Sequence, residues 1–235
     1  MFTTTVQSNF NSADRFWFKM GAVSFIVGIA LLIAVNILHP HQANPSDNPA
    51  IFAEYAADAR WLSTHLMQLF GTMFFMVPSF LAVYRSLENE SSVVKNWARL
   101  ALAMSVLTFA VYTVDMAIDG IALKKAVDKW AATTGSEQAV YFGVAEGIRW
   151  LENGVLGIAG AFQGLVVLFA SLGMTQSSLY SKWLGWLGTI GGLGFFLGGM
   201  ILITAGFSAA ALIGQFGFLA ILVWVIAVTI RLWRL

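Results

Sequence analysis

An all-α, polytopic membrane bundle of six transmembrane helices is the fold class this sequence predicts, and three observations predict it. Only 11% of its 235 residues are charged and 58% are hydrophobic, against about 25% and 45–50% in an ordinary soluble domain. The apolar residues gather in runs that match the roughly 20 helical residues needed to cross a bilayer core. Between Lys182 and Arg231 stand 48 consecutive residues without a charge, room for two spans. The same composition excludes other classes. With no cysteine there is no disulfide framework, thiolate metal site or Cys nucleophile. A net charge of +1 leaves no surplus of cations for nucleic acid.

Taken in order, the first span covers residues 16–38. It is read as an uncleaved helix, because His39-Pro40-His41 follows it and no small-residue cleavage site stands nearby. The second span covers 61–84, the third 97–118 and the fourth 151–174. The fifth and sixth, 183–205 and 209–230, meet at Gly206, Phe207 and Ser208. All belong to one transmembrane domain, 1–235. With the N-terminus inside, Arg15, Lys19, Arg85, Lys95, Arg99, Lys182, Arg231 and Arg234 lie inside. Arg60, Lys124, Lys125, Lys129 and Arg149 lie outside. Eight cations against five favour both termini in the cytoplasm.

The outer segments, 39–60 and 119–150, carry the local signals. Pro40, Pro45, Asp47 and Pro49 form a breaker cluster, after which Asn48 reads as an N-cap with Pro49 at the first helical position. Phe52, Tyr55, Ala56 and Ala59 then share a stripe. They belong either to an extension of span two or to a separate amphipathic helix on the outer surface. Gly135 is the one strong helix stop between Asp119 and Glu146, and Thr134 to Glu137 fits a capping box. Spans three and four thus extend outward as a helical hairpin. A turn near 135 sets Lys124 level with Glu146 and Asp119 within reach of Arg149, so two structural ion pairs are expected.

Depth and direction locate the candidate site. At about 1.5 Å per residue, His65 lies roughly 30 Å from Arg85 and Asp115 roughly 24 Å from Arg99, both in the outer quarter. Trp61, His65, Gln68 and Thr72 share a helix face, as do Thr108, Tyr112, Asp115 and Asp119. Glu146, Arg149, Asn153 and Gly157 form a third stripe with Glu152 beside it, and Asn36, His39 and His41 end span one. Polar stripes on apolar helices face a bundle interior or water rather than lipid. An outward-facing polar pocket between spans one to four follows, with His65, Gln68, Asp115 and Glu152 as ligand-binding residues. The competing reading is a set of merely solvated helix ends.

Three chemistries suit these residues. A divalent metal could take His65, Asp115 and Glu152. Haem could take His65 with His39 or His41 as axial ligands. A carboxyl in the vestibule could bind a proton, a cation or a cationic solute. There is no G-x-S-x-G and no phosphate-binding glycine loop. An apolar middle through spans one to four argues against a conventional secondary transporter.

Spans five and six are nearly free of polar residues but dense in glycine. Gly188-x-x-x-Gly192 and Gly194-x-x-x-Gly198 predict close helix packing, with Gly160-x-x-x-Gly164 as a partner and a homo-oligomer as a further use. The segments Trp61 to Gln68, Asp119 to Trp130 and Ala145 to Glu152 resemble a family of bacterial six-helix integral membrane proteins of unknown function. That resemblance implies a bacterial inner membrane and the hairpin architecture, and it supplies no catalytic residues. The leading expectation is binding or sensing of a small polar solute or cation. A metal- or haem-dependent membrane enzyme in the same pocket is the alternative, and a structural module docking a partner through its hairpin is a third.

Overall fold

The computed structural model describes residues 10–40, 42–207 and 212–235, and among these it is helical with no strand. The elements are α1 (Ser12–Leu38), α2 (Asn48–Ala57), α3 (Trp61–Leu87), α4 (Ser92–Ala117), α5 (Lys124–Ala132), α6 (Gly135–Gln176), α7 (Lys182–Ala205) and α8 (Leu212–Arg234). Residues 118–123 form a π-helical turn that joins α4 to α5 without a break. Six helices are long and apolar enough to span a membrane, as expected. His41, Ser208 and the start of the sixth predicted span lie outside the described residues.

The chain makes an integral, multi-pass membrane bundle, and the helices close into a ring. Each spanning helix packs on its neighbours in the order α1, α3, α4, α6, α7, α8, and α8 returns to α1. Large apolar side chains such as Ile26, Phe70, Val114, Ile190, Phe216 and Ile226 stand exposed on the spanning helices, where lipid would cover them. Inside, the half of the ring nearer the termini is filled. Phe18, Phe25, Phe75, Phe80 and Trp224 form a buried aromatic core there, with Phe25 edge-on to Phe75 at 5.5 Å and Phe80 stacked on Trp224 at 6.1 Å. Arg85 ties that end, donating to Asp14 at 2.7 Å and lying 3.3 Å from Glu88.

Two sequence features that would weaken a helix are accommodated. Pro78 within α3 has no N–H for the Phe74 carbonyl, and the hydroxyl of Ser79 donates to that carbonyl instead, at 2.8 Å. The glycines of α7 are consumed inside the chain. A Cβ on Gly164 of α6 would lie 2.6 Å from the Gly192 carbonyl, and one on Gly191 would lie 3.2 Å from the Gly217 carbonyl of α8. These faces seat α7 between α6 and α8, so a homo-oligomer would need some other surface.

The hairpin is present, with its turn where Gly135 placed it. α5 ends at Ala132, and Gly135 has a φ of +64° that suits a residue without a Cβ. Thr134 caps α6 without any side-chain hydrogen bond, so the capping box is not formed. The segment before α3 is a separate helix rather than an extension. Asp47, not Asn48, is its N-cap and accepts from the Ala50 amide. The apolar face of this α2 is covered by protein, with Ile51, Phe52 and Tyr55 buried in a cluster with Leu123, Val127 and Ala145 of the hairpin, while Pro49, Ala50 and Ala53 are exposed on the other face.

Glycine packing gives a two-sided test on one helix. Gly164→Ala is expected to lower stability by about 1–3 kcal/mol through overpacking against α7. Gly147→Ala, where a Cβ meets nothing within 4 Å, is expected to raise it by about 0.5–1 kcal/mol through the helix backbone. Thermal unfolding in detergent reads both, and shifts of the same sign would contradict this packing.

Candidate functional site

The site is assembled where α1 ends, α2 docks and the π-helical turn runs past the start of α3. His39 caps α1, its amide bonding the Val35 carbonyl at 2.8 Å. Trp61 opens α3 and is fully buried, with its indole N–H donating to the Asp119 carbonyl at 3.3 Å. Around it the rings of Tyr55, His65 and His39 stand at centroid distances of 4.2, 4.4 and 5.2 Å. Three separate segments therefore meet in one aromatic wall.

His65 is held at both nitrogens. Nδ1 lies 2.7 Å from the Trp61 carbonyl and Nε2 lies 2.9 Å from Asp119 Oδ2. A carbonyl can only accept, so Nδ1 carries a proton and donates. Gly120 permits the close approach: a Cβ there would lie 2.8 Å from His65 Cβ. The π-helical turn supplies the geometry. Its wider i→i+5 winding changes the direction in which residues after 118 point, and it carries Asp119 against His65.

This winding, together with α2, corrects the ion pairs expected from the hairpin register. Asp119 meets His65 rather than Arg149. Lys124 pairs with Asp128 at 2.6 Å, one turn along its own helix, and donates to the Ala56 carbonyl. Glu146 accepts from the Asn48 amide of α2 at 2.9 Å. Arg149 lies 3.3 Å from Glu152 and donates to the Tyr55 hydroxyl at 3.1 Å. Its guanidinium also faces the rings of Tyr55 and Phe207 at 5.7 and 5.4 Å. A straight, two-helix register could not anticipate partners brought by a third helix.

Between these groups opens a vestibule of about 680 Å³. All six spanning helices contribute to its wall, because Phe195 of α7 and Phe218 of α8 line it along with residues of α1, α3, α4 and α6. The pocket is therefore wider than one confined to spans one to four. Gln68 and Glu152 line it as expected. His65 and Asp115 do not; both are buried, and His65 reaches the vestibule through Asp119, which does line it. The Gln68 amide donates to the Tyr112 hydroxyl, leaving its carbonyl oxygen buried without a partner. Asp115 is 1% exposed and neither carboxylate oxygen has a hydrogen-bond partner.

Outside the spanning helices the shifts follow burial. Burial lowers the pKa of His39, against the opposing effects of the Pro40 carbonyl and Asp119, and so favours the neutral ring. Burial likewise raises that of Tyr55, with Arg149 opposing, so its hydroxyl stays protonated.

One group of side chains can hold a metal ion among the described residues. It is His39, His65 and Asp119, with one ligand atom of each within 4.8 Å of the others. The triad expected from sequence, His65 with Asp115 and Glu152, does not gather. Haem on His65 and His39 does not fit either, because the His65 Nε2 that would bind iron faces Asp119 at 2.9 Å. His41, the other axial choice, lies outside the described residues. Tyr55, Phe195, Phe207 and Phe218 were not legible as site residues, since nothing in their spacing separates a pocket-lining aromatic from a packed or lipid-facing one. No family model, curated protein or solved structure matches the chain.

The buried pair makes a stability test. Arg149→Met is expected to cost about 3–5 kcal/mol by stranding Glu152, and adding Glu152→Leu is expected to recover most of that loss. Denaturant unfolding of the two proteins checks it. If the double substitution falls as far as the single one, the pair is not what the site rests on.

Proposed function

We propose that the vestibule binds a small solute with a cationic or donor-rich head and an apolar body, admitted from the hairpin end. The observation that carries this reading is the composition of one cavity. Its polar rim sets the carboxylates of Glu54, Asp119 and Glu152 against the single guanidinium of Arg149, and its deeper wall is apolar, with Leu32, Leu156, Phe195 and Phe218. A cavity of about 680 Å³ is of the size that holds a small organic ligand. The unpartnered Gln68 carbonyl supports the same reading, as an acceptor awaiting a donor.

The cation distribution supports both termini in the cytoplasm, which would make the hairpin end the outer face of a bacterial inner membrane. The protein then acts as a solute-binding or sensing component rather than a conventional transporter, because the aromatic core closes the inner half of the ring.

Hexylammonium and hexanoate, matched in length and opposite in charge, separate the alternatives. Hexylammonium is expected to raise the unfolding temperature of the purified protein saturably, by the equivalent of about 2.7 kcal/mol at a hundred times its Kd, and hexanoate is not. Gly160→Leu is expected to abolish the response. Gly160 lines the vestibule, and its Cβ would meet Gly199 Cα only at an ordinary 3.7 Å, so the side chain grows into the cavity. Equal responses to the two probes, or an unchanged response in Gly160→Leu, would overturn the reading.

A further inference from the structure

We infer that His39, His65 and Asp119 form a binding site for a divalent first-row transition-metal ion, of the zinc or ferrous class, on the wall of the vestibule. Two imidazoles and one carboxylate are a ligand set that such ions share. The set comes from three places in the chain: the end of α1, the first turn of α3 and the π-helical turn. A π-helical turn is itself a common device for placing functional side chains.

Three observations point to a cation rather than to simple packing. The first is the tautomer. Both histidines present Nδ1 to a backbone carbonyl, Pro40 at 2.8 Å for His39 and Trp61 at 2.7 Å for His65. The His39 ring joins the same group of ligands; for His65, Nδ1 therefore donates and Nε2 is the atom turned to Asp119. That is the outer arrangement by which metal-ligating histidines are oriented. The second is the contact this creates. His65 Nε2 stands 2.9 Å from Asp119 Oδ2, a gap that one shared cation, a proton or a metal ion, can bridge. Two ligands at about 2.1 Å from one ion stand about 3.4 Å apart at the tetrahedral angle and about 3.0 Å apart at a right angle, so this pair needs little movement to share an ion. The remaining ligand distances, up to 4.8 Å, require an approach of about 1.5–2 Å, which side-chain rotation would have to supply.

The third observation is a second carboxyl beside the set. Asp115 lies one turn before Asp119, close enough to interact electrostatically with both Asp119 and His65, and its buried oxygens have no partner. Arg149 and Glu152 already neutralise one another. An ion on His39, His65 and Asp119 would stand within electrostatic reach of the unpartnered Asp115 carboxyl. The ion would stand beside the vestibule, because both His39 and Asp119 line it, and it would take Asp119 out of the acidic rim, leaving Glu54 and the unpartnered Gln68 carbonyl to meet a cationic head.

Cobalt alone is the probe. The full-length protein in detergent, stripped with chelator, exposed to Co²⁺ and desalted, is expected to retain about one Co²⁺ per chain with visible ligand-field absorption. His39→Ala is expected to weaken binding by roughly 10–100-fold or more, with an unchanged thermal unfolding profile showing that the fold is kept. His65→Gln and Asp119→Asn are expected to lose the absorption. Glu146→Gln, whose carboxylate is held by Asn48, should leave it unchanged. A wild-type protein that retains no Co²⁺, or a His39→Ala protein that binds with unaltered affinity, overturns the metal site. Either result leaves His65 and Asp119 as an imidazolium–carboxylate pair. A hexylammonium response that persists under either outcome confines the failure to the metal and leaves the solute pocket standing.

Discussion

A charge buried inside a ring of membrane-spanning helices must be matched by another group within the ring, because neither lipid nor an apolar core will solvate it. The hairpin end of this protein is organised around that requirement. Arg149 and Glu152 are 3.3 Å apart with Tyr55 completing the guanidinium contacts, and Asp119 is set against His65. The Arg149–Glu152 pair lies on α6 itself, but two straight helices alone would reach neither Tyr55 nor His65. The first needs α2 to bring Tyr55 inward, and the second needs the π-helical turn to aim Asp119. Docking of α2 and winding of the turn are thus answers to the same electrostatic demand.

The two halves of the ring divide the remaining work. Toward the termini, rings of phenylalanine and tryptophan fill the centre, and glycine lets α7 sit against both of its neighbours. That rigid half supports a hollow one. A cavity bounded by six helices keeps its shape only if those helices are fixed elsewhere, and dense packing resists small deformations. The apolar core lies beneath the vestibule.

Much of the architecture was legible in the sequence, because spans are written in hydropathy and the hairpin in a single glycine. Ser12–Leu38, Trp61–Leu87 and Lys182–Ala205 contain the predicted runs, and Gly135 marks the turn. The site was legible only in its depth and in residues such as Gln68 and Glu152. The docking of α2 was not, since a stripe of Phe52 and Tyr55 fits a membrane surface as well as a protein groove. The π-helical turn was not, since i→i+5 winding has no residue signature; the partners of Asp119 and Glu146 followed from it and from α2, whereas Lys124 and Arg149 took carboxylates of their own helices, Asp128 and Glu152. His39 joins His65 across a loop and a short helix, a proximity that no local pattern records.

The turn at residues 118–123 also sets how the gene can tolerate change in length. An α-helix advances about 100° per residue, so removing one residue from the turn would rotate all of α5 relative to α4. Asp119 would leave His65, and the buried faces of Leu123 and Val127 would swing away from α2. At residues 133 and 134, by contrast, an added residue lengthens only the tip of the hairpin. Six residues of unusual winding therefore act as a fixed gauge between span and hairpin. Homologous chains should vary in length at the tip and hold their count across the turn.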